Sequence, residues 1–240
     1  NWHHATPVTA SQVENLCASG YLLKAATLIR EKIANKAPFG IKDPRLSKLL
    51  PFWKKVFQHC ELNVGYVIAI RNPISVAKSL ESRNGFSYDK SYLLWLDHTL
   101  SALIHTEGSN RVVLDFDLVL ENPTKQLGRI ADALGLDSNA AAVSEYTSEF
   151  LDEQLRHNVH QLQDLAADAR ISPMIRELYT MMRGAAAVDR SLAVSGGQLR
   201  HFEIDRDNLY PLIVYIDRLH QSMSERDSQL TALQLSLVER

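Results

Sequence analysis

The chain has 240 residues, 45% of them hydrophobic and 22% charged, with a formal net charge of −2 and a pI near 6.5. This balance suits one globular domain plus an extension, and it lacks the basic excess that nucleic acid or an anionic membrane attracts. Two cysteines, Cys17 and Cys60, with no CxxC, exclude a disulfide framework and a cysteine-rich zinc site.

The chain opens on Asn-Trp-His-His, with neither an initiator methionine nor a leader pattern. It reads as an internal stretch of a longer protein. No apolar run approaches the roughly 18–20 residues of a membrane span, so no transmembrane segment is expected. The cysteine usage fits a reducing, cytoplasmic setting.

Thr9-Ala-Ser begins a helix that Gly20 stops, and the next helix aligns Leu22, Ala25, Ala26, Ile29 and Ile33 on one face. Pro38 to Pro44, "PFGIKDP", reads as a short strand. "RLSKLLPFWKKVFQHC" follows as a helix, with Pro51 forcing a break or a new first turn. Phe52, Trp53 and Phe57 are expected to pack this helix onto a sheet.

"VGYVIAI" is continuously apolar, as a strand buried on both faces would be. Helices over "PISVAKSLESRN" and "YDKSYLLWLDHTLSALIH" follow, stopped at Gly85 and Gly108, then a strand over "RVVLDFD" and a helix over "NPTKQLGRIADALGL". The order predicts an α/β fold, a P-loop-like parallel sheet flanked by helices, with a C-terminal helical extension. From about Ser138 to Val188 the pattern is helical but less regular.

The expected division is a domain over 1–190, a linker over 191–204 containing Gly196-Gly197, and an amphipathic helix over 205–240. In that helix Leu212, Ile216, Leu219, Met223, Arg226, Leu230, Leu233 and Leu237 alternate by four and three. This is a heptad seam with one polar position, and it makes residues 209–240 a candidate surface for homo-oligomers.

The chemistry centres on "IAIRNPISVAKS". Ligands of open parallel sheets bind beyond the carboxyl ends of strands. Arg71 stands at such an end and offers a planar fork to phosphate or sulfate oxygens. Pro73 suits the first position of a helix whose N-terminus favours an anion. Ser75 and Ser79 share a helix face. "IKDPR" at 41–45 repeats the strand–cation–proline–helix arrangement with Lys42, so two cations are expected to face one crevice and one multiply charged ligand.

These residues resemble the sulfotransferase family, whose donor is 3′-phosphoadenylyl sulfate. The match is Arg71, Asn72, Pro73 and Ser79, together with "KDPR" at 42–45 of the bacterial and tyrosylprotein branches and Asp117, Leu118 and Pro123 of a later strand. It spans about Phe39 to Leu136. The resemblance implies sulfuryl transfer to a sugar, lipid or protein acceptor, with Arg71 and Ser79 on the 3′-phosphate and Lys42 stabilising the transferring group. No metal is implied, although Asp115 and Asp117 alternate at a strand end. Asp115 and Phe116 depart from the family pattern. The family's phosphate loop is absent from these 240 residues, so its 5′-phosphosulfate site and general base are expected upstream.

His3 and His4 read as solvated, and His59 and Cys60 as structural. Arg156 and His157 fall after the sheet and read as a surface pair. Two other readings stand beside sulfuryl transfer. One is a P-loop-like small-molecule kinase. The other is a non-catalytic domain that presents its C-terminal helix for oligomerisation.

Overall fold

The computed structural model describes residues 4–34, 38–137, 139–151, 162–188 and 196–238. Among them the chain is mostly helical, with eleven α-helices, one π turn and two short strands. The expected α/β sheet flanked by helices is therefore corrected to a mostly helical fold around a two-stranded parallel pair.

Helix α1 (Ala10–Ala18) begins at Thr9, whose side chain and that of Gln12 satisfy each other's backbone N–H in a capping box. Gly20, at φ 80°, turns the chain into α2 (Tyr21–Ile33). Ala26 and Ile29 of α2 are buried against Val13, Phe52 and Val56, with Leu22, Ala25 and Ile33 packed around them.

Phe52 and Val56 belong to α3 (Leu46–His59), so the aromatic face of this helix packs on α1 and α2 rather than on a sheet. Pro51 lies inside α3 without ending it. It sits near the N-terminal end, where the loss of one backbone donor leaves most of the helix intact.

Residues 38–43 form no strand; Phe39 and Ile41 are each 40% exposed. Gly40 and the flanking prolines disfavour a ladder. Lys42 thus projects from an irregular segment and not from a sheet edge.

Strand β1 (Tyr66–Ile70) pairs in parallel with β2 (Arg111–Asp115), with Ile68 opposite Val113 and Ile70 opposite Asp115. Between them run α4 (Pro73–Asn84) and α5 (Tyr88–His105), the long crossover that parallel neighbours require. β1 is buried on one face only. Ile68 and Ile70 are in the core, whereas Val67 and Ala69 are exposed. Their register partners Val112 and Leu114 are buried, and α7 (Pro123–Leu134) packs against β2.

"DFD" does not continue the strand. Asp115 ends β2 and caps α6 (Phe116–Glu121), accepting from the N–H groups of Asp117 and Leu118. Helix α8 (Ala140–Glu145) and a π turn over Tyr146–Phe150 follow.

Helix α9 (Leu162–Ala167) and α10 (Pro173–Ala187) complete the main core. That core joins Ile70, Trp95, Leu100, Leu178, Tyr179 and Phe202. Phe202 belongs to α11 (Gly196–Val238), a 43-residue helix. Gly196 and Gly197 therefore open this helix instead of forming a linker, and Leu199 and Phe202 join its first turns to the core. Ile213 packs farther along, with Ala5, Leu80 and Leu94. Positions 191–195 of the expected linker lie outside the described residues.

No described helix is long and apolar enough to cross a membrane.

Candidate anion site at the ends of the two strands

Both strands run the same way, so their carboxyl ends lie side by side. Arg71 follows Ile70, and Phe116 follows its register partner Asp115. The Arg71 guanidinium carbon lies 4.4 Å from the centre of the Phe116 ring, a cation–π contact. The main chain of Arg71 is fixed from the other side, where Trp95 Nε1 donates to its carbonyl at 3.0 Å. Arg71 Nε is buried and has no hydrogen-bond partner. An arginine held by stacking and by its backbone, with a donor unspent, is suited to an oxyanion.

A second arginine comes from α10. Tyr179 and Arg183 are one helical turn apart and share a face. Tyr179 donates its hydroxyl to Asp115 Oδ2 at 2.9 Å, and Arg183 Nε stands 3.9 Å from Asp115 Oδ1. Arg183 Nε is likewise buried without a hydrogen-bond partner. Asp115 is fully buried. Burial, then the adjacent Asp115 charge, raises the Tyr179 hydroxyl far above its usual range, which favours its role as donor to Asp115.

Two other buried arginines provide the contrast. Arg111 donates to the Leu103 carbonyl at 2.5 Å and to Thr106. Arg129 binds the carbonyls of Val113, Ala185 and Val188 and the side chain of Gln126. These two tie β2 to the ends of α5 and α10, and their donors are spent on the protein. Of these four arginines, Arg71 and Arg183 keep a buried Nε without a described hydrogen-bond partner.

The three residues predicted from sequence occupy different settings. Arg71 is in the site. Ser79 lies about two turns along α4 and is exposed between Lys78 and the buried Leu80, while Ser75, nearer the strand end, is fully buried. Lys42 is exposed. Its neighbours Asp43 and Arg45 bind each other, with Arg45 Nη2 2.6 Å from Asp43 Oδ2. The hydrogen bonds from the Arg45 side chain and backbone N–H bring the Asp43 carboxyl down to about 2.

The N-terminus of α4 is capped from within. Asn72, fully buried, accepts the Ile74 N–H at 2.9 Å. Pro73 contributes no donor. The arginines, more than the helix end, supply the positive character here.

Asp115 and Asp117 do not form a metal cluster. Asp115 is committed to the α6 cap and to Tyr179, and no described group of three or more His, Cys, Asp or Glu residues is arranged to hold a metal ion. Arg156 and His157 lie outside the described residues, as does His3. The His4 carbonyl accepts from Lys48.

Sequence reasoning missed Arg183, Tyr179 and Trp95 as parts of this arrangement. The i, i+4 spacing of Tyr179 and Arg183 marked a shared face, but the partner of that face is set by tertiary packing. No family model, curated protein or solved structure matches the chain.

Proposed function

We propose that the ends of β1 and β2 bind a phosphate- or sulfate-bearing nucleotide, and that the chain is the donor-binding part of a sulfotransferase using 3′-phosphoadenylyl sulfate. The observation that carries this reading is Arg71, stacked on Phe116 with a buried Nε that has no hydrogen-bond partner among the described residues. Arg183 adds a second cation against the end of the neighbouring strand, β2. Two guanidinium groups suit a doubly charged 3′-phosphate better than a neutral ligand.

In the proposed reaction the sulfuryl group passes in line from the donor's phosphate oxygen to an acceptor oxygen or nitrogen. One S–O bond breaks, one bond to sulfur forms, and the acceptor's proton leaves to a base. Such transfers depend on position and electrostatics more than on covalent catalysis. Arg71 and Ser79 are the proposed 3′-phosphate ligands. Lys42 is the cation proposed for the leaving oxygens.

A comparison of adenosine 3′,5′-bisphosphate with ATP by thermal shift tests the reading. The bisphosphate is expected to stabilise the chain more than ATP does, and Arg71→Ala is expected to weaken its binding by about 2–4 kcal/mol through loss of a charge-assisted contact. Preference for ATP would favour the kinase reading. Equal binding by the Arg71→Ala variant would remove Arg71 from the site.

The C-terminal helix carries a separate proposal, that α11 associates with another copy of the chain. Leu212, Leu219, Met223, Leu230 and Leu233 are all exposed along it, and their spacing keeps them on one stripe.

A further inference from the structure

α11 has two apolar faces. One bears Leu199, Phe202 and Ile213 and is buried in the chain's own cores. Asp217 continues this face, accepting from the Ala5 N–H at 3.2 Å, and so does His220, whose Nδ1 is buried. Beyond His220 every described side chain from Gln221 to Ser236 is exposed.

The second face lies about 100° round the helix from the first. It runs through Leu212, Leu219, Met223, Arg226, Leu230 and Leu233, of which the five apolar residues are 44–61% exposed. Among the described residues, the helix from Gln221 to Ser236 buries no side chain. In proteins most helical stability comes from packing of an apolar face rather than from propensity. An apolar stripe that continues for about two heptads past the supported part fits a partner helix with the same repeat.

The heptad assignment decides how a second copy would fit. Leu209, Ile216, Met223, Leu230 and Leu237 take the first core position, and Leu212, Leu219, Arg226 and Leu233 the second. In a parallel pair like positions meet, so the two Arg226 guanidinium groups would share one core layer. In an antiparallel pair first positions meet second positions. One register matches the seam, with Ile216 against Leu233 of the partner subunit and Leu219 against Leu230 of the partner subunit. Arg226 then falls against Met223 of the partner subunit, where its aliphatic stem covers the thioether and its charged end reaches water. The flanking positions meet as His220 with Asp227 of the partner subunit and Ser222 with Gln229 of the partner subunit, so no like charges oppose.

We propose that a second copy of this chain docks on α11 in antiparallel orientation, about a two-fold axis between Ser224 and Glu225, with Arg226 set against Met223 of the partner subunit. The inference rests on the reading of α11 as a self-association helix, and the experiment separates the two. Light scattering of the full chain is expected to give a dimer, and Leu230→Asp is expected to raise its dissociation constant tenfold or more. A monomer at the highest attainable concentration overturns self-association itself.

Orientation is read by disulfide formation in a Cys17→Ala/Cys60→Ala background. Mixing a Met223→Cys chain with an Arg226→Cys chain is expected to give the crosslinked dimer faster than Arg226→Cys alone. Self-crosslinking of Arg226→Cys at an equal or greater rate overturns the antiparallel register. A dimer that crosslinks in neither experiment also overturns it, because the copies then meet elsewhere.

Discussion

Tyr179 and Asp115, 64 residues apart in sequence, meet in the core through a hydrogen bond of 2.9 Å from hydroxyl to carboxylate. The same carboxylate caps α6 and faces Arg183. One buried acid therefore fixes the end of β2, the start of α6 and the face of α10 that carries the second arginine. Replacing Tyr179 by Phe leaves Asp115 Oδ2 buried with one donor fewer. The expected cost is about 1–3 kcal/mol in urea denaturation.

Arg183→Ala is expected to weaken adenosine 3′,5′-bisphosphate by about tenfold or more, since a charge-assisted contact is worth ~1.5–3 kcal/mol. Ser79→Ala removes at most one hydrogen bond to the phosphate, worth about 1.5–3 kcal/mol, whereas Arg183→Ala also removes a full positive charge and is expected to cost more. Isothermal titration of both variants gives the ranking. An order with Ser79 above Arg183 would count against the two-arginine site.

The Lys48 ammonium lies 2.6 Å from Asp97, and both side chains are almost completely buried. Lys48 also donates to the carbonyls of His4 and Thr6, pinning the start of the chain to α3. Burial raises the Asp97 carboxyl above its usual range, and Lys48 opposes that rise. Lys48→Met leaves the acid uncompensated, at an expected cost of about 3–5 kcal/mol. A carboxyl whose folded pKa is raised loses stability as pH rises through that value. The variant's defect is therefore expected to be milder at pH 4 than at pH 8. Adding Asp97→Leu is expected to recover a large part of the loss.

Asp168 shows the opposite sign. Bidentate hydrogen bonds from Arg170, with another from Tyr92, hold its carboxyl well below the usual range, and the Arg170 guanidinium lies over Tyr88 at 4.0 Å. The stability this gives is present above the ordinary carboxylate pKa of about 4 and is lost as pH falls further. Asp168→Asn is expected to lower the melting temperature at pH 7 and to flatten its fall between pH 5 and pH 2. An unchanged pH profile would show that the clamp contributes nothing.

Local signals in the sequence located most elements. Thr9 caps a helix, and Gly20, Gly85 and Gly108 stand at or just past helix ends at positive φ. These are properties of a few adjacent residues, so the sequence holds them in full. The position of β1 was legible for the same reason, but its burial was not. Apolar Val67 and Ala69 read like core residues, whereas the structure leaves their face open. Phe39 and Ile41 read as a strand because alternation alone cannot show whether a neighbouring strand exists.

The site was half legible. Arg71 is marked by its place between an apolar strand and Asn-Pro. Arg183 sits in a helix of ordinary pattern, and only the packing of α10 on β2 brings it to Asp115.

The 43 residues of α11 form one rod of roughly 64 Å at 1.5 Å per residue. Its base is embedded through Leu199 and Phe202 in the cluster that contains Trp95 and Tyr179. Those two residues hold the main chain of Arg71 and the carboxylate beside Arg183. The rod is held at a second place farther along, by Ile213 among Ala5, Leu80 and Leu94 and by Asp217 on the Ala5 N–H. A load on the distal half therefore meets these contacts before it reaches the packing behind the two arginines.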